Sequence, residues 1–393
     1  MAARLNVLIA TSIFPNSEEV NKGIYIFHQA TALSKYCNVK VVAPVPYFPG
    51  RLKSKTYGLY SRIPKRETID GLEVMHPRVF ITPKFGRYLY GLLYALSLFH
   101  IMSGLKRNFV PDVIIGYWVY PDGFANVLLA KLLKLPIILG GRGCDVNNAG
   151  EDRIKRIMVS WALRSSDRVM AVSSNMKQKM IQLGVPGEKI AVIPNGLHEI
   201  FVKHAGKKGN ARSDDDKKKT ILYCGRFSSE KGVEYLLKAA RILKEQNVAF
   251  RLLLVGSGAQ ESVLKELATQ YDLEGIIQFE DEIPYSNVPA LMCSADIFCL
   301  PSLREGWPNV VMEALACGLP VVASRVGGVP ELLVDERCGM MVAAENEEEL
   351  AAALSAALKR SWDNGSISAT VKERSWDKVA LEMLTEIKQV VGR

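Results

Sequence analysis

The sequence is poor in cysteine and contains no Cys-x-x-Cys pair. Its seven cysteines, an odd number, are spread over the 393 residues from Cys37 to Cys338. Such spacing disfavours a disulfide framework, and it also disfavours a zinc site built on paired cysteines. Reduced cytosolic thiols are the expectation.

Long hydrophobic runs are also scarce. The apolar residues 7–10 are too short for the core of a secretory signal, and they lead into Ser12 and Pro15 without a small-residue cleavage pattern. Residues 88–105 are the exception, because these 18 residues include no Asp, Glu, Lys or Arg. They contain two glycines and precede another strand pattern within ten residues, so a buried or interfacial helix is expected and not a membrane span.

A complete dinucleotide fingerprint is absent as well. Gly256 and Gly258 follow a strand pattern, but Glu261 stands where Gly-x-Gly-x-x-Gly requires its third glycine. A nicotinamide oxidoreductase is therefore disfavoured.

Positive charge is concentrated in the first half of the chain. Residues 1–200 carry 26 Lys+Arg against 13 Asp+Glu, whereas residues 201–393 carry 24 against 28. Residues 51–66 hold six cations, no acid, and the aromatic Tyr57 and Tyr60. Beside residues 88–105, this segment predicts docking on an anionic membrane surface that weakens with salt. Single-stranded nucleic acid could use the same features, but no recognition motif supports it and none is expected as a partner.

Short β-branched runs alternate with helical patterns along the whole chain, which predicts parallel sheets covered on both faces. The lysine- and aspartate-rich residues 201–219 contain no apolar run and read as a linker or exposed loop. We therefore expect an α/β protein of two doubly wound, Rossmann-like domains, residues 1–200 and 220–375, facing a cleft where ligands bind. The helical pattern of residues 376–393 is expected to join the first domain.

The first chemical motif follows the strand pattern at residues 220–223. Gly225 permits close backbone approach, and Arg226 and Lys231 precede a helix, so both cations could reach one anion near the helix N-terminus. This arrangement predicts a diphosphate site without a metal; solvated loop cations are the alternative.

The second motif places two carboxylates eight positions apart. Glu305 comes after a buried strand pattern, and Glu313 falls inside the next helix, with free amides expected at Asn309 and Val310 between them. Paired acids that accept hydrogen bonds from neighbouring hydroxyls suit a sugar or ribose, although a surface acid beside a core-edge acid would give the same pattern.

The third motif is a glycine turn, Gly327 and Gly328, followed by Glu331. The order and spacing of the three motifs resemble the retaining glycosyltransferases of family 4, which have the GT-B fold. The first half adds weaker similarity through Ser12-x-Phe14-Pro15 with Gly23 and Gln29-Ala30, and through the segments 117–123 and 142–145.

The resemblance assigns roles to individual residues. It implies that Arg226 and Lys231 hold the donor diphosphate, that Glu313 accepts from the ribose, and that Glu305 lies against the transferred sugar. Many relatives have a histidine where this chain has Tyr117, which is a poor base at neutral pH. The complete expected set is Arg226, Lys231 and Glu305 as catalytic; Gly23, Gly225, Glu305, Asn309, Val310 and Glu313 as donor-binding; and Tyr117, Asp122, Arg142 and Asp145 on the acceptor side.

The expected activity is transfer of a hexose-type sugar from a nucleoside-diphosphate sugar, with retention, to a glycan or lipid-linked hydroxyl. No cofactor and no metal are expected: the one Asp-x-Asp match, Asp214 and Asp216, lies in the charged linker. The expected location is the cytoplasm, peripheral to the inner face of the cell membrane, with a role in cell-surface polysaccharide or glycolipid synthesis. A sugar phosphorylase, a nucleotide-sugar epimerase and a catalytically silent nucleotide-binding scaffold at the membrane remain open alternatives.

Overall fold

The chain folds into two compact units. The computed structural model describes residues 4–47, 58–80, 86–105, 109–204 and 218–392. Unit 1 comprises residues 1–196 and 376–393, and unit 2 comprises residues 197–375. This division falls at Gly196 and Leu197, within four residues of the expected boundary. Residues 205–217 of the expected linker, including Asp214 and Asp216, and residues 51–57 of the basic segment lie outside the described residues.

Unit 1 is built on an eight-stranded sheet in the order β10-β9-β8-β7-β1-β2-β5-β4, with a separate two-stranded sheet of β3 and β6. Seven of the eight strands run parallel and the central ones are buried on both faces, as continuous apolar runs require. The strands are β1 Asn6–Ala10, β2 Asn38–Val42, β3 Val45–Pro46, β4 Arg66–Ile69, β5 Leu72–Met75, β6 Arg78–Val79, β7 Val113–Tyr117, β8 Ile137–Gly140, β9 Arg168–Ala171 and β10 Ile190–Val192.

Unit 2 is built on a six-stranded parallel sheet in the order β13-β12-β11-β14-β15-β16. The order reverses between β11 and β14, so the loops that leave the carboxyl ends of these two strands diverge and open a place for a ligand. The strands are β11 Lys219–Cys224, β12 Phe250–Val255, β13 Ile277–Glu280, β14 Ile297–Leu300, β15 Val321–Ser324 and β16 Gly339–Val342. The expected pair of Rossmann-like α/β domains is confirmed.

Helices connect most successive strands in both units; the exceptions are β2–β3, β4–β5 and β5–β6. The C-terminal helix packs on α1 of unit 1, and Trp376, Val379 and Met383 enter that unit's core. The helices are α1 Ile24–Ser34, α2 Gly58–Arg62, α3 Tyr90–Leu105, α4 Phe124–Leu133, α5 Cys144–Asn147, α6 Arg153–Ser165, α7 Ser174–Gln182, α8 Glu199–Val202, α9 Val233–Glu245, α10 Glu261–Gln270, α11 Val288–Ser294, α12 Asn309–Ala316, α13 Val329–Leu332, α14 Glu347–Lys359, α15 Asn364–Ala369 and α16 Trp376–Val391.

One edge of unit 1 departs from the predicted parallel arrangement. Strands β4 and β5 form an antiparallel hairpin, whose turn residues Asp70 and Gly71 have φ values of 45° and 82°. An Asp-Gly pair favours such a turn because both positions require positive φ. The predicted strands did not include this hairpin, although its Asp-Gly pair is a local turn signal.

Residues 90–105 of the apolar stretch form α3. Gly91, Tyr94, Ala95, Leu98 and Met102 are buried against the rest of unit 1, and the opposite face is exposed. Within the described ranges, the helices all fall short of the length and hydropathy that crossing a bilayer demands.

Candidate functional site

Hydrogen bonds fix the backbone of the loop that leaves β11, and the Arg226 side chain of this loop is exposed. The amide of Gly225 donates to the carbonyl of Val255 at 3.0 Å, and the hydroxyl of buried Tyr223 donates to the carbonyl of Arg226 at 2.8 Å. The Arg226 side chain is 70% exposed, and its Nη2 lies 3.3 Å from Oε1 of Glu230. An exposed pair of this kind contributes little to stability, so the guanidinium can exchange Glu230 for another anion.

Lys231 and Glu305 bring two strand ends together. Lys231 Nζ lies 2.6 Å from Glu305 Oε1, and the same oxygen accepts from Ser302 Oγ at 2.7 Å. The two charged side chains are only 19% and 8% exposed. The amide of Leu303, in the β14 loop, donates to the carbonyl of Glu230 at 2.8 Å and fixes the two loops to each other. The predicted cation and the predicted acid therefore share one site at the carboxyl edge of β11 and β14.

Glycines allow neighbouring loops to approach this site closely. A Cβ on Gly327, whose φ is 54°, would lie 2.2 Å from the carbonyl oxygen of Glu305. A Cβ on Gly256 would lie 2.0 Å from the carbonyl oxygen of Gly225. Contacts this short do not occur, so both positions require glycine. The incomplete dinucleotide motif thus packs the β12 loop against the β11 loop, and the Gly327 turn supports Glu305.

Glu313 is buried in α12 beside the end of β11. Its Oε1 accepts from the hydroxyl of Tyr285 at 2.9 Å, and the ring of Tyr285 packs edge-on against Phe201 at 5.5 Å between centroids. Burial raises the pKa of the Cys224 thiol to about 12, and the charge of Glu313 raises it in the same direction. Cys224 is the last residue of β11, so Glu313 belongs to the same strand-end region as Gly225.

The prediction of a free amide at Asn309 is wrong. This amide donates to the carbonyl of Trp307 at 3.0 Å, because the chain makes a tight turn at Pro308 just before α12. The amide of Val310 lies in the first turn of α12, where N–H groups have no acceptor within the helix. Asn309 contributes to ligand contact only through its side chain or after this turn opens.

In unit 1, Tyr117 is part of a buried hydrogen-bonded cluster. Its hydroxyl donates to Gln29 Oε1 at 2.7 Å, and the Arg142 guanidinium lies 4.3 Å above its ring. Burial raises the pKa of Tyr117, although Arg142 opposes the shift. The phenol is therefore protonated at neutral pH, and its proton is directed at Gln29.

Arg142 connects three elements of unit 1. Its Nη1 donates to Asn195 Oδ1 at 2.8 Å and its Nη2 donates to Gln29. Burial lowers the pKa of Arg142, which nonetheless keeps its charge at neutral pH. The guanidinium therefore joins α1 to the segments after β8 and β10.

Asp122 and Asp145 tie neighbouring loops together by binding backbone amides. Asp145 accepts from the amides of Arg142 and Gly143 in its own loop and from Val119 in the loop after β7. Asp122 Oδ2 accepts from the amide of Ser12 in the loop after β1. Burial raises the pKa of Asp122 to about 6, while the Ser12 bonds and the charge of Lys22 oppose the shift. Both carboxylates brace the strand ends of unit 1.

Gly23, the expected donor-binding glycine of the first half, precedes α1 with a φ of 65°. A Cβ there would lie 2.3 Å from the carbonyl oxygen of Ile13, so the glycine lets α1 begin directly against the Ser12–Pro15 turn. This close packing is one reason for a glycine at position 23, and its expected role in donor binding stays a prediction.

Sequence reasoning missed several partners of the site. Ser302 and Tyr285 contact the two predicted acids, and Asn195 contacts the predicted acceptor-side residue Arg142. Gln29 belonged to the predicted N-terminal motif, but its contacts with Tyr117 and Arg142 were not predicted. Ser302 could have been found, since it lies two residues beyond β14, whose carboxyl end was already singled out. Tyr285 carries no local signal, because its contact with Glu313 depends on how α12 packs.

Both halves of the chain match glycosyltransferase family models. Residues 207–374 match the family model described as Glycosyl transferases group 1, and residues 23–199 match Glycosyltransferase Family 4. A protein named putative colanic acid biosynthesis glycosyltransferase WcaL is 31% identical in two bacteria. The alignment with the Salmonella typhimurium protein covers 66% of this chain and 64% of that protein. The alignment with the Escherichia coli K12 protein covers 72% of this chain and 70% of that protein. The putative teichuronic acid biosynthesis glycosyltransferase TuaC of Bacillus subtilis is 27% identical over 84% of this chain and 83% of its own.

Solved structures agree on the fold. Sucrose-phosphate synthase from Thermosynechococcus elongatus matches with a TM-score of 0.79 at 19% identity, over 98% of this chain and 99% of that one. Anabaena HepE in complex with UDP and glucose matches with a TM-score of 0.71 at 18% identity, over 98% and 100%. Together with the two family models and the strand-end site, these matches show that the chain belongs to glycosyltransferase family 4 and has the GT-B fold.

Proposed function

We propose that the protein transfers a hexose-type sugar from a nucleoside-diphosphate sugar to a hydroxyl of a glycan or lipid-linked acceptor, with retention at the anomeric carbon. The observation that carries the proposal is the contact of Lys231 with Glu305 beside exposed Arg226, at the edge where β11 and β14 end. Cations suited to a diphosphate and a carboxylate suited to a sugar hydroxyl occupy one small region.

The cations stabilise the leaving group. In the reaction, the bond from the sugar C1 to the diphosphate oxygen breaks, and a bond from C1 to the acceptor oxygen forms on the same face. The acceptor proton passes to the departing phosphate. Negative charge grows on the diphosphate during this step, so fixed cations bind the transition state more tightly than the ground state. Arg226 supplies a bidentate donor, and Lys231 supplies a compact charge that Glu305 positions.

The carboxylates recognise hydroxyl groups. Glu305 lies at the end of β14 next to Lys231, where a sugar attached to the diphosphate would be held. Glu313 accepts from the ribose, and the Tyr285 hydroxyl fixes the orientation of its carboxylate. The solved relative that contains UDP and glucose supports a donor of this class.

The role of a metal is taken by side chains in this proposal. Arg226 and Lys231 would supply the positive charge that a divalent cation otherwise offers a diphosphate, with Arg226 exchanging Glu230 for the phosphate oxygens. Turnover is therefore expected to persist when a chelator is added.

The acceptor belongs to cell-surface polysaccharide or glycolipid synthesis. The names of the relatives, colanic acid and teichuronic acid biosynthesis glycosyltransferases, support this class. The strand-end loops of unit 1, braced by Asp122 and Asp145, would hold the acceptor, with Arg142 and Tyr117 as supports of those loops. We place the protein in the cytoplasm, peripheral to the inner face of the cell membrane.

The experiment that tests this proposal is a panel of nucleoside-diphosphate sugars screened by thermal unfolding and then by product analysis. A donor at 100 times its dissociation constant adds about 2.7 kcal/mol to the free energy of unfolding. A stabilising donor should then yield nucleoside diphosphate and a product with a new glycosidic bond of the donor's anomeric configuration. A converted sugar without a new glycosidic bond would indicate a phosphorylase or an epimerase, and binding without turnover would indicate a silent scaffold.

A further inference from the structure

The outer face of α3 is an apolar stripe. Leu89, immediately before the helix, and Leu92, Leu96 and Phe99 within it are 54%, 44%, 76% and 46% exposed. Their spacing of three, four and three residues places them on one side of the helix, opposite the buried Tyr94 and Leu98. A helix that covers a sheet in a soluble domain ordinarily turns polar residues outward, so this stripe requires an explanation.

Helix α6 extends the apolar surface. Ile154 and Ile157 are 46% and 60% exposed. The next residue on the same side of α6 is Trp161, whose ring packs on Phe124 at 4.9 Å between centroids. Phe124 in turn touches Gly91 of α3, where a Cβ would lie 2.5 Å from its ring. The Tyr88 hydroxyl donates to Asp152, which caps α6, so the start of the α3 stripe lies beside the start of the α6 stripe. The α3–α6 face consists of Leu89, Leu92, Leu96, Phe99, Ile154 and Ile157.

The exposed apolar residues of the protein are concentrated here. Phe80 and Tyr88 border the α3–α6 face: the Phe80 amide donates to Ser97 of α3, and the Tyr88 hydroxyl donates to Asp152, which caps α6. With these two, the region holds eight of the seventeen large hydrophobic side chains that are exposed in the described parts of the chain. Single exposed apolar residues need no explanation, but a contiguous group of this size indicates a binding surface.

The positive charge beside the α3–α6 face indicates which partner binds there. Arg153, Arg156 and Arg164 lie along one side of the α6 stripe and are exposed, and α6 contains no acidic residue. Helix α3 carries no charge at all. An exposed apolar surface bordered by cations matches the acyl and phosphate layers of an anionic bilayer. A second copy of the chain would bring its own arginines against these and is disfavoured by like charge.

We propose that the α3–α6 face seats unit 1 on the surface of an anionic lipid bilayer, with α3 lying in the plane of the interface. The apolar stripe enters the acyl boundary, and the arginines of α6 contact lipid phosphates. Nothing in the family or structural comparisons assigns this surface.

The inner side of α3 links the bilayer to the acceptor loops. The buried Tyr94 hydroxyl lies close enough to Asp122 for its pKa to rise further from that charge, after the larger effect of burial. A bilayer under α3 would thus lie next to the loops proposed to hold the acceptor. This consequence rests on the proposed transferase function, whereas the docking itself does not.

The test is co-sedimentation of the full-length protein with vesicles of phosphatidylcholine alone or with about 30 mol% phosphatidylglycerol. The wild type should bind the anionic vesicles, and binding should weaken between about 50 mM and about 500 mM salt. Leu96→Glu and Ile157→Glu should each lower the partition coefficient roughly ten-fold or more. Leu381→Glu, at a 48% exposed leucine of α16 in the same unit, should leave it unchanged.

Donor turnover measured without vesicles separates this proposal from the proposed function, because the exposed substitutions should not alter it. Equal binding to neutral and anionic vesicles, or wild-type binding by both glutamate variants, would overturn the proposal. So would a wild-type dimer that Leu96→Glu converts to a monomer while vesicles bind neither form, since the face would then be an interface between copies.

Discussion

Lys231 Nζ and Glu305 Oε1 lie 2.6 Å apart, although 74 positions separate the two residues in the chain. The contact joins the loop after β11 to the loop after β14, which are neighbouring strands at the centre of the unit 2 sheet. Because Ser302 donates to the same carboxylate oxygen, Glu305 is held on two sides. The site is thus organised before a donor arrives, which lowers the cost of ordering it on binding.

The Gly327 turn should be essential for placing Glu305. We expect Gly327→Ala to lower donor turnover at least about ten-fold, because a Cβ there would displace the Glu305 carbonyl. The backbone φ of 54° at this position costs an alanine a further ~1–3 kcal/mol. The measurement is the rate of nucleoside-diphosphate release. Gly275→Ala is the matched control, since its Cβ meets nothing within 4 Å. Equal rates for the two variants would contradict the assigned role.

Tyr285 should tune nucleotide affinity through Glu313. Tyr285→Phe removes a hydroxyl that donates to the Glu313 carboxylate at 2.9 Å, and such a bond to a charged group contributes about 1.5–3 kcal/mol. We expect donor binding to weaken by roughly 10- to 150-fold, with a smaller change in kcat, as measured by nucleotide titration and steady-state kinetics. Tyr271→Phe is the control outside the site. An unchanged dissociation constant in Tyr285→Phe would show that Glu313 needs no such support.

Asp122 should make the stability of the protein depend on pH. Its pKa is raised from 3.8 to about 6 by burial, so between these values the folded chain holds a proton that the unfolded chain has released. The free energy of unfolding should therefore fall as the pH rises from about 4 to about 6 and then level off. Asp122 accounts for about 3 kcal/mol of this decrease. Asp122→Asn lacks the titration and keeps an oxygen that can accept from the Ser12 amide.

The measurement for Asp122 is urea unfolding of the wild type and Asp122→Asn at about pH 4.5 and about pH 7.5. The variant should gain stability relative to the wild type at the higher pH. Taking the difference between the two proteins cancels the titration of all other groups. A difference that is the same at both pH values would exclude the raised pKa as its cause.

Much of the fold and part of the site could be predicted from the sequence. The alternation of β-branched runs with helical patterns indicates strands that are buried on both faces. This pattern can be recognised within short segments of the sequence. Gly225, Lys231 and Glu305 were found because the carboxyl ends of parallel strands gather at one edge, so position in the alternating pattern fixes position in space. The antiparallel β4–β5 hairpin carried an equally local turn signal at Asp70 and Gly71, but the predicted strands did not include it.

The remaining parts of the site depend on packing. Tyr285 reaches Glu313 only because α12 lies against the segment that precedes α11, and no spacing in the sequence encodes that contact. The Asn309 amide was expected to be free, but Pro308 forces a turn in which the amide finds the Trp307 carbonyl. Asp145 was expected near an acceptor, and its bonds to three backbone amides depend on how the loops after β7 and β8 pack together.

The central claim is that Arg226 and Lys231 neutralise the leaving diphosphate. The most direct test is donor turnover in Arg226→Ala and Lys231→Ala, with Lys265→Ala, at an exposed lysine paired with Glu261, as the control. The account predicts that Arg226→Ala and Lys231→Ala both fold, and that both bind the donor more weakly than the wild type. Each should lose about 100- to 1000-fold in turnover rate, while the control keeps the wild-type rate. Near wild-type turnover in both Arg226→Ala and Lys231→Ala would contradict the account.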